Sequence, residues 1–144
     1  MNIRQKYSNY LLYHFPWQLL ILTIFIVSSI SQQHLPEFTE KISDKILHFS
    51  AFGMLGLLMV NSFKHSRNNI LQNYAGSLAV IISSIYGIFD ELHQKLVPGR
   101  MCSFTDWLAD TTGALILVLI FMVFWYYRNK QSAREQPEQK NGPG

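Results

Sequence analysis

A chain of 144 residues has the length of about one domain. Only 15% of it is charged, against roughly 25% in an average soluble domain, and 49% is hydrophobic, which argues against a water-exposed surface and for a lipid solvent. The net charge of +3 and pI of 9.1 do not make it a nucleic-acid binder, because the bases form no stripe on a polar fold, and the single Cys102 excludes an intrachain disulfide and has no companions for a zinc site.

Four apolar runs approach the roughly 20 residues that cross a bilayer as a helix. The first, FPWQLLILTIFIVSSIS from Phe15 to Ser31, has Gln18 as its one strongly polar member, and Pro16 suits a first helical turn. A cleaved signal peptide is the competing reading, since Arg4 and Lys6 precede the run and Ser29-Ile30-Ser31 is a weak small-x-small site. The second is ILHFSAFGMLGLLMVNSF, Ile46 to Phe63, and the third YAGSLAVIISSIYGIFDEL, Tyr74 to Leu92. The fourth, Trp107 to Tyr127, ends in an aromatic belt and basic stop, FWYY followed by Arg128 and Lys130. It is apolar all round from Ala114 onward, which the helices of a soluble bundle are not. The chain therefore predicts an all-α fold, an integral membrane bundle of four transmembrane helices in residues 1–128. The polar, Pro/Gly-containing segment 129–144 reads as a disordered tail.

Charge sets the expected orientation. Four spans leave eight of the twelve bases on the side of the termini and seven of the nine acids on the other. Lys and Arg accumulate in cytoplasmic loops, so both termini are expected to be cytoplasmic. The outer side then receives three polar segments: DKILH (Asp44 to His48) opening the second span, DELHQKLVPGR (Asp90 to Arg100) closing the third, and DWLAD (Asp106 to Asp110) opening the fourth.

Helical spacing groups these residues. Asp44 and His48 are one turn apart; Ser83, Gly87, Asp90 or Glu91, and Gln94 form a stripe, as do Asp106, Asp110 and Gly113. Small residues allow close helix approach, and ionisable groups within a membrane face a bundle interior or a wet cavity. His48, Asp90, Glu91, Gln94, Arg100, Asp106 and Asp110 are expected to line one pocket open to the outer surface. Pro98 and Gly99 make the turn that brings Arg100 back over the helix ends, and Ser103 or Thr105 caps the fourth helix. Trp107 and Tyr86 read as interface anchors, His14 and His34 as interfacial, His65 as a solvated loop residue, and His93 as peripheral to the pocket.

DKILHFSAFGMLGLL resembles the D-K-x-x-H-F opening of the VanZ-like membrane proteins, and YGIFDELHQKLVPGRMCSFTDWLADTTGALI their Y-G-x-x-D-E-x-x-Q-x-x-x-P-G-R-x-x-x-x-D-x-x-A-N-x-x-G signature. The resemblance covers Asp44 to about Leu117. Asp110 stands where the family usually has Asn, and Leu117 where a second glycine is frequent. The resemblance implies a multi-pass protein of the bacterial cytoplasmic (inner) membrane. It also implies a cell-envelope neighbourhood, because the family's named member is linked to glycopeptide (teicoplanin) resistance. It carries no established reaction.

Three functions compete for the pocket. A binding or envelope-modifying module would recognise a membrane lipid or lipid-linked envelope precursor through Asp44, Lys45, Gln94, Arg100 and Asp110. An enzyme would hold a phosphate or carboxylate of such a molecule on Lys45 and Arg100, with His48, Asp90, Glu91 or Asp106 in acid/base roles. The P-S-G-H segment of membrane acid phosphatases is absent. A structural clasp would join Asp44 with Lys45, His48, Asp90 with Arg100, and Asp106 in hydrogen bonds that only hold the helix ends together. No cofactor, no metal ligand and no nucleic-acid partner is expected, although a divalent cation on the same oxygens is a further alternative.

Overall fold

The computed structural model describes residues 3–31 and 43–135, and among them the chain is helical with no strand. The first rod is continuous: α1 (Ile3–Asn9), a π-helical turn (Tyr10–His14) and α2 (Phe15–Ser28). The widened turn has a local cause. Pro16 has no N–H for the carbonyl of Leu12 and its ring would crowd that carbonyl, and the turn before it widens so that Phe15 N–H reaches Tyr10 O. Next come α3 (Asp44–Lys64), the short α4 (Asn69–Asn73), α5 (Ala75–Gln94) and α6 (Phe104–Glu135). Four of these stretches are long and apolar enough to span a membrane: Tyr7–Ser28, Asp44–Lys64, Ala75–Gln94 and Phe104–Arg134.

Two expectations need correction. Residues 129–135 continue α6 instead of opening a disordered tail. Lys130, Gln131, Ala133 and Arg134 are strong helix formers, and elongation of an existing helix needs no new nucleus. Ser103 precedes α6, but its hydroxyl lies 2.9 Å from that of Thr105, which leaves the predicted side-chain cap unformed by either hydroxyl on these contacts. The rest of the tail and His34 lie outside the described residues.

The central pair is α3 with α6, the most extensive contact in the bundle. Its seam is built of small residues. A Cβ on Gly113 would strike the carbonyl of Phe49, and one on Gly56 would lie 3.1–3.2 Å from Ala114. Van der Waals packing and close backbone approach hold helices together where lipid competes with every apolar side chain. Phe52, Leu55, Met59 and Val60 of α3, Ala75 and Ala79 of α5, and Val118 of α6 form the core. The outer faces stay apolar: Leu115, Leu119, Val123 and Phe124 of α6 are exposed, which suits hydrocarbon and not water. By contrast, α2 buries only Ile24 and Ser28.

Candidate functional site

The polar residues gather at one end of the bundle, where α3 begins, α5 ends and α6 begins. Their burial settles their direction: exposure is 7% for His48, 3% for Asp90, Glu91 and Gln94, 6% for Asp106 and 0% for Asp110. None faces lipid. The predicted stripe on α5 is the buried one, with Ser83, Gly87, Asp90, Glu91 and Gln94 all turned inward. Both adjacent acids are therefore inside.

Three helices meet at His48. Its Nδ1 lies 2.9 Å from Asp110 Oδ1 on α6 and 3.9 Å from Glu91 Oε1 on α5, while Nε2 lies 4.0 Å from Asp44 Oδ1 one turn earlier. The backbone N–H of Ser103 donates to Glu91 Oε2 at 2.6 Å. Glu91 Oε1 and Asp110 Oδ2 are buried without a hydrogen-bond partner. Asp110 fits here because Gly87 faces it: a Cβ at that position would stand 2.9 Å from Asp110 Oδ2.

The remaining predicted residues divide into smaller groups. Lys45 Nζ donates to Asp106 Oδ1 and to Thr105 Oγ1, both at 2.9 Å, not to its neighbour Asp44. Gln94 Nε2 donates to Asp90 Oδ2 at 2.8 Å. Arg100 turns back as expected, through a loop in which Gly99 adopts φ of 80°. However, its guanidinium meets main-chain carbonyls at the end of α2, Ile30 O at 3.3 Å and Val27 O at 3.4 Å, and not Asp90. The helix C-terminus offers carbonyls lacking intrahelical partners, and these attract a cation. The pairings proposed for a clasp, Asp44 with Lys45 and Asp90 with Arg100, are thus replaced by Lys45 with Asp106 and Arg100 with α2.

A cavity of about 300 Å³ lies between α2, α3 and α5. Leu20, Ile24 and Val27 of α2 and Leu47, Ala51 and Phe52 of α3 form its apolar wall; Asp44, His48, Asp90, Gln94 and Arg100 form its polar end. Glu91, Asp106 and Asp110 stand behind that end and do not line it. The α2 wall was not foreseen, because a uniformly apolar span has no periodicity to mark one face. Nor was the Ser103 amide, since a backbone donor has no sequence signature.

Several aromatic and histidine side chains make contacts that the sequence does not reveal. Trp107 Nε1 donates to Ser84 O at 3.1 Å and Tyr86 OH to Ile21 O at 2.9 Å, so both tie helices together. At the opposite end, His14 Nδ1 lies 2.7 Å from Ser62 Oγ, and His65 stacks on Tyr13 with ring centres 3.8 Å apart. His93 leaves the pocket for α2, where it meets Ser29 Oγ at 2.9 Å and stacks on Phe25.

The VanZ/LLP1 family model matches residues 2–125. No curated protein and no solved structure matches significantly.

Proposed function

This chain belongs to the VanZ/LLP1 family and is a multi-pass membrane protein, and on this footing we propose that it binds an amphiphilic, lipid-linked molecule of the bacterial cell envelope. One observation carries the reading: a single cavity joins an apolar wall on α2 and α3 to a polar end on α3, α5 and the turn before α6. An acyl or prenyl chain suits the first, and a phosphate, carboxylate or amide head group the second. The Arg100 guanidinium has five N–H donors, and its two carbonyl contacts leave others for an anionic oxygen. With both termini in the cytoplasm of a bacterial cell, this polar end opens at the outer boundary of the cytoplasmic membrane. Occupancy there would change the availability of an envelope lipid, and with it glycopeptide (teicoplanin) susceptibility.

The experiment is to fill the cavity from its apolar wall. Ala51→Phe places a ring where Ala51 lines the space, and removes no hydrogen-bonding side chain of the site. Lipids retained by the purified protein in mild detergent are then identified by mass spectrometry. The reading expects one envelope lipid bound by the wild type and lost from an equally stable Ala51→Phe variant. Equal retention by both proteins refutes it.

An acid/base enzyme acting on the same molecule is the second reading. Its supporting observation is His48, which reaches the cavity and is held by buried carboxylates. It predicts a chemically altered lipid that disappears in His48→Gln while binding persists.

A further inference from the structure

We propose that His48, Glu91 and Asp110 form a binding site for one divalent transition-metal cation, of the Zn²⁺ or Mn²⁺ class, at the junction of α3, α5 and α6. This goes beyond the lipid reading and does not depend on it.

The geometry is that of ligands around a small cation. Tetrahedral ligands bound at 2.0–2.1 Å stand about 3.3 Å from one another. His48 Nδ1 stands 2.9 Å from Asp110 Oδ1 and 3.9 Å from Glu91 Oε1, so half-ångström side-chain adjustments in opposite directions reach that spacing. One atom from each of the three lies within 4.8 Å of the others, and all three residues are buried.

Two further observations set this apart from a mere acidic cluster. Glu91 Oε1 is aimed at His48 Nδ1, is buried with its side chain 4% exposed, and has no hydrogen-bond partner. A cation satisfies it directly. The supporting shell is also in place. The Ser103 amide holds Glu91 Oε2, which leaves Oε1 to ligate. In the metal-free arrangement His48 Nδ1 hydrogen-bonds Asp110 Oδ1 at 2.9 Å; Asp44 Oδ1, 4.0 Å from Nε2, is placed to take the Nε2 proton once a metal claims Nδ1. Metal-binding histidines characteristically have such a carboxylate behind them.

Charge points the same way. Asp90, Glu91, Asp106 and Asp110 are buried together, while Lys45 engages Asp106 and the Arg100 guanidinium engages carbonyls. One imidazole and two carboxylates leave coordination positions for water or an incoming oxygen. That donor set favours Zn²⁺ or Mn²⁺ over Mg²⁺, which prefers all-oxygen surroundings and sheds its waters reluctantly.

The test uses the full chain in detergent, without a polyhistidine tag, stripped by chelator and equilibrated with ZnCl₂, MnCl₂ or MgCl₂. Elemental analysis after gel filtration gives the stoichiometry, and competition with a chromophoric chelator gives the affinity. We expect close to one Zn²⁺ or Mn²⁺ per chain, a raised melting temperature on loading, and little response to Mg²⁺. Glu91→Gln should weaken binding by more than tenfold, and Asp44→Asn, behind the histidine, by about tenfold. Asp106→Asn should leave it unchanged. No stoichiometric uptake by the wild type overturns the proposal. So does wild-type affinity in Glu91→Gln, or loss of binding in Asp106→Asn alone, which would place the ion between Asp44, His48 and Asp106. If Glu91→Gln does not fold, Asp110→Asn decides, since Asp110 is itself a proposed ligand at a position where the resembled signature usually has Asn, and wild-type affinity there overturns the proposal.

Discussion

The seam between α3 and α6 makes the sharpest prediction. At Gly113 a Cβ would fall 3.0 Å from Phe49 Cα, closer still to that residue's carbonyl carbon at 2.9 Å, and against its carbonyl oxygen. Ordinary carbon contacts need about 3.5–4.0 Å, and the obstacle is backbone, not a side chain that can turn away. Gly113→Ala must therefore part the two helices by roughly half an ångström to an ångström at this point. Overpacking of a close-packed interior typically costs about 1–3 kcal/mol. His48 precedes Phe49 and Asp110 lies one turn before Gly113, so the same parting stretches the 2.9 Å contact between their side chains. Gly76→Ala is the control. A Cβ there meets Met122 Cγ at 3.5 Å and Val118 Cγ1 at 3.6 Å, ordinary contact distances. That variant should be neutral, or more stable by up to about 1 kcal/mol through helix propensity. Thermal unfolding in detergent followed by tryptophan fluorescence, with SDS titration as a second measure, compares the two. Equal stability of Gly113→Ala and Gly76→Ala would refute the close approach of α3 and α6 at the site.

Three further outcomes follow from single residues. Gly99→Ala places a side chain at φ of 80° and should cost about 1–2 kcal/mol, with Gly99→Asn milder, as thermal unfolding will show. Lys45→Met leaves the Asp106 carboxylate, whose side chain is 9% exposed, without its cation and donor, and should cost about 1–3 kcal/mol in the same assay. Cys102 is exposed, and an orientation with both termini in the cytoplasm requires a membrane-impermeant maleimide to label it in intact cells; labelling only after lysis would reverse the topology.

The spans were legible because a bilayer imposes a length of apolar chain, and the runs read to Phe63 and Leu92 stop within two residues of the helix ends at Lys64 and Gln94. The inward stripe on α5 was legible for a related reason: hydrocarbon leaves Asp90, Glu91 and Gln94 nowhere to point but inward. Partners were harder. Arg100 was expected near an acid, yet its acceptors are main-chain carbonyls at the end of α2, and sequence does not reveal where a helix terminus will sit. Likewise, Lys45 reaches past Asp44 to Asp106 sixty-one residues away, a choice made by tertiary packing. The length of α6 was missed because composition alone assigned a polar segment to a tail, when an existing helix readily carries such residues beyond the membrane boundary.

The first rod adds directional polar contacts to the packing of Trp17, Leu20, Ile21 and Ile24 at the core. Ser62 receives Trp17 and pairs with His14 near one end, Tyr86 reaches Ile21 in the middle, and Arg100, His93 and Pro98 O engage Val27, Ile30, Ser29 and Ser31 at the other. Such pins fix how the rod is rotated and how far it slides, but they supply little adhesion across the rest of its length. In hydrocarbon, which wets leucine as readily as another leucine does, the α2 side of the cavity therefore depends on these pins for its position.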